Sequence, residues 1–453
     1  MRILEGWTHC RGAAHERMWC RSLIARALAA LVCLAVMGTT ASAQVAYGPP
    51  GRTGVPEPAP TVPQGIPPKL AEAAGLALKT YPSLAAARTQ IRATQYDLRA
   101  ARQLRFPNVT VDTATRGTRL GVFSPQVQVM QPLWSGGRVK ANIDRANALR
   151  GVAEAGLSET ALDVLLQLSA AYFDMARTSE LQALYTESLA EHRRLVESME
   201  RRVLQEVSPR TDLELARARM AQVDQQLALV TAQHDAAATR FLQLVGDPQF
   251  DVGPAPVYSS DSDQPLGDDI VPRALACDPT TRRLKAQVDV ADADRRISKA
   301  AVLPELGVRY SYDRFGGSQL GLAVRAQTNG GLAPLALADA ASARAQTAKF
   351  QVSLAEREIG EKVALDLVEN RSARTRMVST ATAALSTRNV TESFLRQFAA
   401  GRRTWLDVMN AVREAIEARA ALVEVQNSAM ASAVRLQLRT CAWTPDVALG
   451  NGS

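Results

Sequence analysis

The sequence predicts an α+β membrane protein in which long antiparallel helices carry short β-hairpins and the whole plan is written twice. Three observations predict it: one helical run far longer than a globular domain, two stretches where the apolar period switches to two, and a recurrence of both at a fixed offset. The run from Arg138 to Gln205 has no proline and only Gly151 and Gly156 inside it. At about 1.5 Å per residue such a helix is roughly 100 Å long. Its apolar stripe, Leu157, Ala161, Val164, Leu168, Tyr172 and Met175, keeps the three-and-four spacing of one helix face. No compact globule covers a rod of that length, so the rest of the chain has to supply equally long partners.

Taken in order, residues 1–43 read as a secretory signal peptide. Arg21 and Arg26 precede an apolar run, and Ala41-Ser42-Ala43 supplies small residues before a cut ahead of Gln44. Met18 competes with Met1 as the start, and the new N-terminus has no cysteine to take a lipid. Residues 44–69 form an extended leader rich in proline and glycine. The first copy spans 70–248: a short helix from Leu70 to Leu78, a helix opened by Pro82 and closed by Phe106-Pro107, a hairpin over 108–131, the long helix 138–205, a tip at 206–210 and a return helix over 211–245. A linker follows over 249–270.

The second copy spans 271–440, with a hairpin over 306–327, a long helix over 337–399, a tip at 400–403, a return helix over 404–439 and a tail over 441–453. Pro82 and Pro279 open matching helices while Pro107 and Pro304 close them, and the offsets agree (279 − 82 and 304 − 107 both give 197). Internal duplication explains that agreement. In each copy the two shorter helices, stacked end to end, are long enough to cover nearly the whole of the long one.

The hairpins decide where the rods sit. Val109, Val111, Thr113 and Thr115 alternate with Thr110, Asp112 and Ala114, and Leu306, Val308, Tyr310 and Tyr312 alternate with Gly307, Arg309, Ser311 and Asp313. Such strands match the roughly nine to eleven residues of a tilted membrane-crossing strand with one apolar face. Four strands cannot close a barrel, and open edges are not tolerated in hydrocarbon. Copies must therefore combine: two would give eight strands with little lumen, and three, the favoured count, a twelve-stranded transmembrane β-barrel. Phe106, Phe123, Trp134, Tyr310, Tyr312 and Phe315 are expected near strand ends, as an aromatic girdle.

Composition excludes other classes. The chain of 453 residues is 47% hydrophobic and 22% charged with a net charge of +8, and its interspersed charges read as solvated helix faces rather than a nucleic-acid surface. His192 and His234 lack metal-ligand spacing, no nucleophile motif is present, and Gly316-Gly317 and Gly330-Gly331 fit turns. No enzyme, cofactor or metal site is expected. Cys277 and Cys441 survive signal cleavage; two unpaired buried thiols are favoured over a bridge, because sequence gives no Cα separation to set against disulfide geometry. The other reading kept open is a soluble periplasmic coiled-coil adaptor or spacer, which a single hairpin-plus-helix copy would have suggested.

Three stretches carry a family resemblance: Gln131-Pro132-Leu133-Trp134-Ser135-Gly136-Gly137 at the strand-to-helix join, Thr211 to Ala218 after the first tip, and Gly401 to Ala411 at the second. With them the chain from about Leu70 to Arg439 resembles the TolC-like outer-membrane efflux and secretion channels. The resemblance implies a homotrimer in outer-membrane lipid whose barrel continues as a coiled-coil helical tunnel into the periplasm, docking a periplasmic adaptor and an inner-membrane transporter, with the wording leaning to type I secretion. It also implies a periplasmic gate. Arg403 would bond the pair Thr211 and Asp212, Phe398 stands where an aromatic hydroxyl is usual, and Asp407 would form an acidic constriction ring whose second member is the neutral Asn410. The exposed turns Glu206, Val207, Ser208 and Pro209, and Ala400, Gly401 and Arg402, are the expected adaptor-docking tips.

Overall fold

A computed structural model describes residues 65–115, 123–258, 269–313, 317–326 and 333–445 of the chain. The signal peptide, the leader up to residue 64, the first hairpin's turn, Phe315 and the residue 329–332 join lie outside the described residues.

The elements run α1 (Pro68–Thr80), α2 (Pro82–Gln103), β1 (Asn108–Thr115), β2 (Phe123–Trp134), α3 (Arg138–Leu204), α4 (Arg210–Val245), α5 (Ile270–Cys277), α6 (Pro279–Ala300), β3 (Glu305–Asp313), β4 (Gly317–Arg325), α7 (Ala333–Ala399) and α8 (Trp405–Arg439). Local chemistry sets these limits. Pro82 and Pro279 stand at helix starts, where a missing N–H costs nothing. The side chain of Asp278 caps α6 by accepting from the Thr281 N–H at 3.1 Å, and Thr404 and Asp407 form a reciprocal capping box at the start of α8. At the strand-to-helix join Gly136 has φ 58, and a Cβ there would lie 2.9 Å from the Leu303 Cβ. Glycine alone fits, which is why the join reads Ser-Gly-Gly.

The stripe on α3 is buried from Leu157 to Met175, as its spacing requires. Around its middle, α1 contributes Leu70, Ala74 and Leu78, α4 contributes Phe241 and Val245, and Phe250 and Trp443 close the cluster with Tyr172 and Phe173. Leu168 and Tyr172 each bury a large apolar side chain, worth about 1.5–3 kcal/mol apiece. The smaller α5 lies on α7, setting Ile270 and Ala274 against Ile359, Val363 and Leu436.

Two expectations need correction. The short helices were expected to stack along the long helix of their own copy, yet α6 packs on both α3 and α7. Charge and size explain it. Arg145 meets Asp294 at 2.7 Å, Arg296 meets Asp144 at 3.3 Å and Arg283 pairs with Glu159 across the α3–α6 seam, while Gly151 stands beside Ala286. Lys285 then reaches Glu356 on α7 at 3.4 Å. The second correction is that Cys277 and Cys441 are not free thiols. They are bridged, with Cα atoms 6.4 Å apart, within the range a disulfide spans. The bridge was invisible in sequence because it depends on α5 folding back against the end of α8.

The upper helices therefore lie in the order α2–α3–α6–α7, and the strands pair antiparallel in the order β1–β2–β3–β4. Each strand continues into the helix of the same rank. In the lower half the order is α4–α3–α8–α7. Among the described helices one lateral edge is thus α7 throughout its length, and the other is α2 above α4.

Candidate functional site

Two regions carry the functional readings: the sheet at one end of the helices and the two helix turns at the other. In the sheet, cross-strand register sorts the side chains. Val109, Val129, Tyr310 and Leu320 stand in one row; Gln131, Val308 and Leu322 stand in another. A bulge between Pro132 and Trp134 brings Trp134 opposite Leu306, which in turn faces Val324. The opposite face holds Thr110, Gln128, Ser311 and Gln319 in one row and Asp112, Gln126, Asp313 and Gly317 in the next, with Gln126 donating to Asp313 at 3.1 Å.

One face is therefore mainly apolar and the other mainly polar, and along β4 the apolar one is bare: Leu320, Leu322 and Val324 are 74%, 75% and 70% exposed. Such a patch on a protein surface has to be covered by lipid or by another chain. Both outer strands, β1 and β4, are sheet edges in the single chain. Among the described residues no helix is long and apolar enough to cross a membrane.

Phe106 and Trp134 lie exposed at the helix end of the sheet, and Tyr312 lies partly exposed toward the hairpin turns. Tyr310 is corrected: it sits within β3, on the apolar face between Val129 and Leu320, rather than at a strand end. Of Phe123 the strand pairing with Thr115 is described.

At the other end the two turns share one geometry. Glu206 N–H donates to Val203 and Val207 N–H to Arg202, at 3.0 and 2.9 Å; Gly401 N–H donates to Phe398 and Arg402 N–H to Gln397, at 3.0 and 2.9 Å. These are Schellman ends, which need a left-handed residue after the helix. Gly401 supplies it at φ 73, but at the first tip Glu206 holds φ 61. A side chain in that conformation costs about 1–2 kcal/mol. Glu206→Gly is accordingly expected to raise unfolding stability by about 1 kcal/mol in a denaturant titration of the purified chain, and an unchanged or lowered midpoint would show that the turn is not strained.

The tips are welded by an apolar cluster in which Trp405, 4% exposed, packs with Val196, Met199, Leu213, Val408, Met409 and Val412. Phe398 lies 5.0 Å from the Trp405 ring, and the Arg202 guanidinium sits 4.7 Å over Phe398, joining the first turn to the second. Arg202 also donates to the Ser208 hydroxyl at 3.2 Å. Arg403 lies 4.2 Å over Phe394, donates to Gln397 at 3.2 Å and reaches Asp407 at 3.9 Å. Asn410 is exposed one turn beyond Asp407.

Arg403 and Asp407 are thus together within one chain, whereas Thr211 and Asp212 belong to α4, at the opposite lateral edge from α7. Glu206, Val207, Pro209, Ala400, Gly401 and Arg402 are exposed, with Ser208 half-buried. The sequence reading missed Arg202, Phe394, Gln397 and the anchoring place of Trp405. A lone tryptophan just after a helix turn was the one available signal. The histidines serve helix packing: the His192 ring lies 2.8 Å from the Ser188 carbonyl and the His234 ring 3.3 Å from the Thr178 hydroxyl.

A sheet with one lipid-compatible face, carried on helices too long for a globule, defines a channel-wall subunit. The comparisons with known proteins agree. Residues 73–247 match the outer membrane efflux protein family. Outer membrane efflux protein BepC of Brucella suis is 22% identical over 337 residues, covering 71% of this chain and 72% of that relative. The outer-membrane channel OprN superposes with a TM-score of 0.73 at 18% identity, over 83% of this chain and 90% of that one. VceC of Vibrio cholerae gives 0.70 at 18% identity, over 82% and 96%, and MtrE of Neisseria gonorrhoeae, solved in its open state, gives 0.70 at 17%, over 82% and 89%. At such identities the superpositions show the fold.

Over residues 73–247 the chain is similar to the outer membrane efflux protein family, and its place is the outer membrane. It is a transport conduit rather than an enzyme. The soluble-adaptor reading is thereby overturned.

Proposed function

We propose that three copies of the chain close head to tail into a twelve-stranded barrel continued by a helical tunnel, and that this duct is the passive exit of a tripartite export system. One observation carries the reading: in both sheet and helices the chain ends laterally on unsatisfied edges that complement each other. Among the described residues β4 and β1 each pair with a strand on one side only. Below them α7 exposes Phe350, Leu354, Leu365, Val368, Val378 and Leu385 along its length, while the far edge exposes Tyr96 on α2 and Leu229 on α4. An edge that differs from its complement generates a ring rather than a two-fold dimer.

In the ring, α2 would gain on its open side an α7 from the next copy, the same surroundings that α6 already has between α3 and α7. The duplication read from the sequence supports that equivalence. Arg403 at the α7 edge would then face Thr211 and Asp212 on the neighbour's α4, making the gate a contact between copies, and the exposed turns would take a periplasmic adaptor coupled to an inner-membrane transporter. The wording of the second tip leans to protein secretion, while the curated relative is named an efflux protein.

Outer-membrane fractionation, cross-linking and mass determination in detergent test the assembly. The expected species is an outer-membrane trimer of three mature chain masses. A monomer or a two-fold dimer that persists in mild detergent would overturn the ring.

A further inference from the structure

At one place the two halves of the chain are tied by different chemistry. In the first half α1 ends at Thr80, whose hydroxyl lies 3.0 Å from both the Leu76 carbonyl of its own helix and the Val245 carbonyl at the end of α4, its one proton shared between them. Gly246 follows at φ 78, and a Cβ built on it would lie 3.3 Å from the Thr80 Cβ. In the second half α5 ends at Cys277, and the chain leaves α8 through Cys441 at φ 54, the two joined by the disulfide.

These are corresponding positions. The offset between Thr80 and Cys277 is that of the helix-opening prolines (277 − 80 = 197), and the offset between Gly246 and Cys441 is that of the two left-handed tip residues (441 − 246 and 401 − 206 both give 195). The surroundings correspond as well. Tyr81 N–H donates to Ala77 and Asp278 N–H to Ala274, each at 2.9 Å. Each helix end also takes an arginine, though not at matched positions: Arg88 donates to the Leu78 carbonyl and Arg282 to the Cys277 carbonyl, each at 2.8 Å.

We infer that the Cys277–Cys441 disulfide is an oxidation-dependent latch that fastens α5 to the end of α8, taking over covalently the place held in the first half by the Thr80 contact with Val245 and Gly246. A physical need for it is visible. α1 has 13 residues and buries five side chains, whereas α5 has 8 and buries Ile270 and Ala274. An eight-residue helix has little stability of its own, so most of what holds α5 must come from its attachments. Beyond Cys441 the chain returns Trp443, 5% exposed, to the central core, so the latch also fixes the end of the described chain.

Closure needs an oxidant, here a disulfide-bearing protein or small molecule of an oxidising compartment. One cysteine thiolate attacks that disulfide and expels a thiolate from it; the second cysteine thiolate then attacks the mixed disulfide. The two protons given up by the cysteine thiols end on the oxidant's two sulfurs, which leave as two thiols carrying the two electrons. The latch exists whether or not three copies close a barrel, so its test and that of the ring can fail separately.

Full-length protein extracted from outer membranes should take up no alkylating label at Cys277 or Cys441 until reduced. On reduction, amide exchange in residues 270–281 and 440–445 should quicken at least about tenfold while residues 68–81 keep their protection. Cys277→Ser with Cys441→Ser should behave as the reduced protein. Cys277→Thr with Cys441→Gly, which transplants the first half's contact, should regain protection and lose all sensitivity to reductant. Free thiols in the extracted protein, unchanged exchange on reduction, or a Thr/Gly pair no better protected than the Ser pair would each overturn the latch.

Discussion

Leu322→Arg is expected to abolish the outer-membrane form of the protein. Leu322 lies near the middle of β4 on the apolar face, opposite Val308, and is 75% exposed in the single chain. An arginine at the lipid face of a barrel near the midplane costs about 2–4 kcal/mol. Each 1.4 kcal/mol is about tenfold in an equilibrium, and the proposed trimer would carry the cost three times. Correctly assembled protein should fall at least about tenfold in heat-modifiability gels of outer-membrane fractions.

The control is three residues away. Gln319 is on the opposite, polar face beside Ser311, so Gln319→Arg should assemble normally and, by adding a ring of cations to the lumen, shift ion selectivity toward anions in a planar bilayer. Equal assembly of the two variants would sink the assignment of faces, because only a buried-against-lipid position separates them.

The contrast between those two positions was legible in the sequence, because a period of two assigns each residue of a strand to a face. So were the ends of α3, since Gly136-Gly137 and Pro209 punctuate a run with no other break. Register was not legible. Which row of β2 faces which row of β3 depends on pairing between residues far apart in the chain, and the bulge that carries Trp134 onto the apolar face follows from that pairing. The position of α6 between α3 and α7 escaped for a similar reason. Sequence showed that the helix was long enough to cover a rod, but the choice of rod rests on ion pairs such as Arg145 with Asp294 and Arg296 with Asp144.

At the tips the residue types were readable and their partners were not. Glu206 stands where the second tip has Gly401, and the matched Schellman bonds at both ends show that the turn keeps its form regardless. Arg202 on Phe398 joins two helices distant in sequence, and no local pattern predicts such a contact. The same holds for Cys277 and Cys441, whose spacing in sequence says nothing about the fold-back of α5.

Arg403→Ala is expected to raise single-channel conductance severalfold in a planar bilayer, and the reason lies in which of two sets of contacts dominates. Within its own hairpin Arg403 has Gln397, the face of Phe394 and a loose approach to Asp407. An exposed pair at 3.9 Å is worth about 0.2–1 kcal/mol at most. A charge-assisted bond to Asp212 of the next copy, closed off from solvent by converging tips, would contribute about 1.5–3 kcal/mol, and in the proposed ring it would occur three times. Deleting three such bonds moves a closed population far toward open, whereas deleting the local contacts does little.

Asp212→Asn should then mimic Arg403→Ala, and the double variant should conduct no more than either single one, the signature of residues acting as one contact. Asp407→Ala separates the remaining possibility. Loss of its capping-box bonds with Thr404 costs about 0.5–2 kcal/mol of helix stability and should lower thermal stability without reproducing the conductance of the Arg403 variant. Were Arg403→Ala silent in conductance while Asp407→Ala opened the channel, the arginine would be a helix-end charge and the constriction would be set by the carboxylate ring alone.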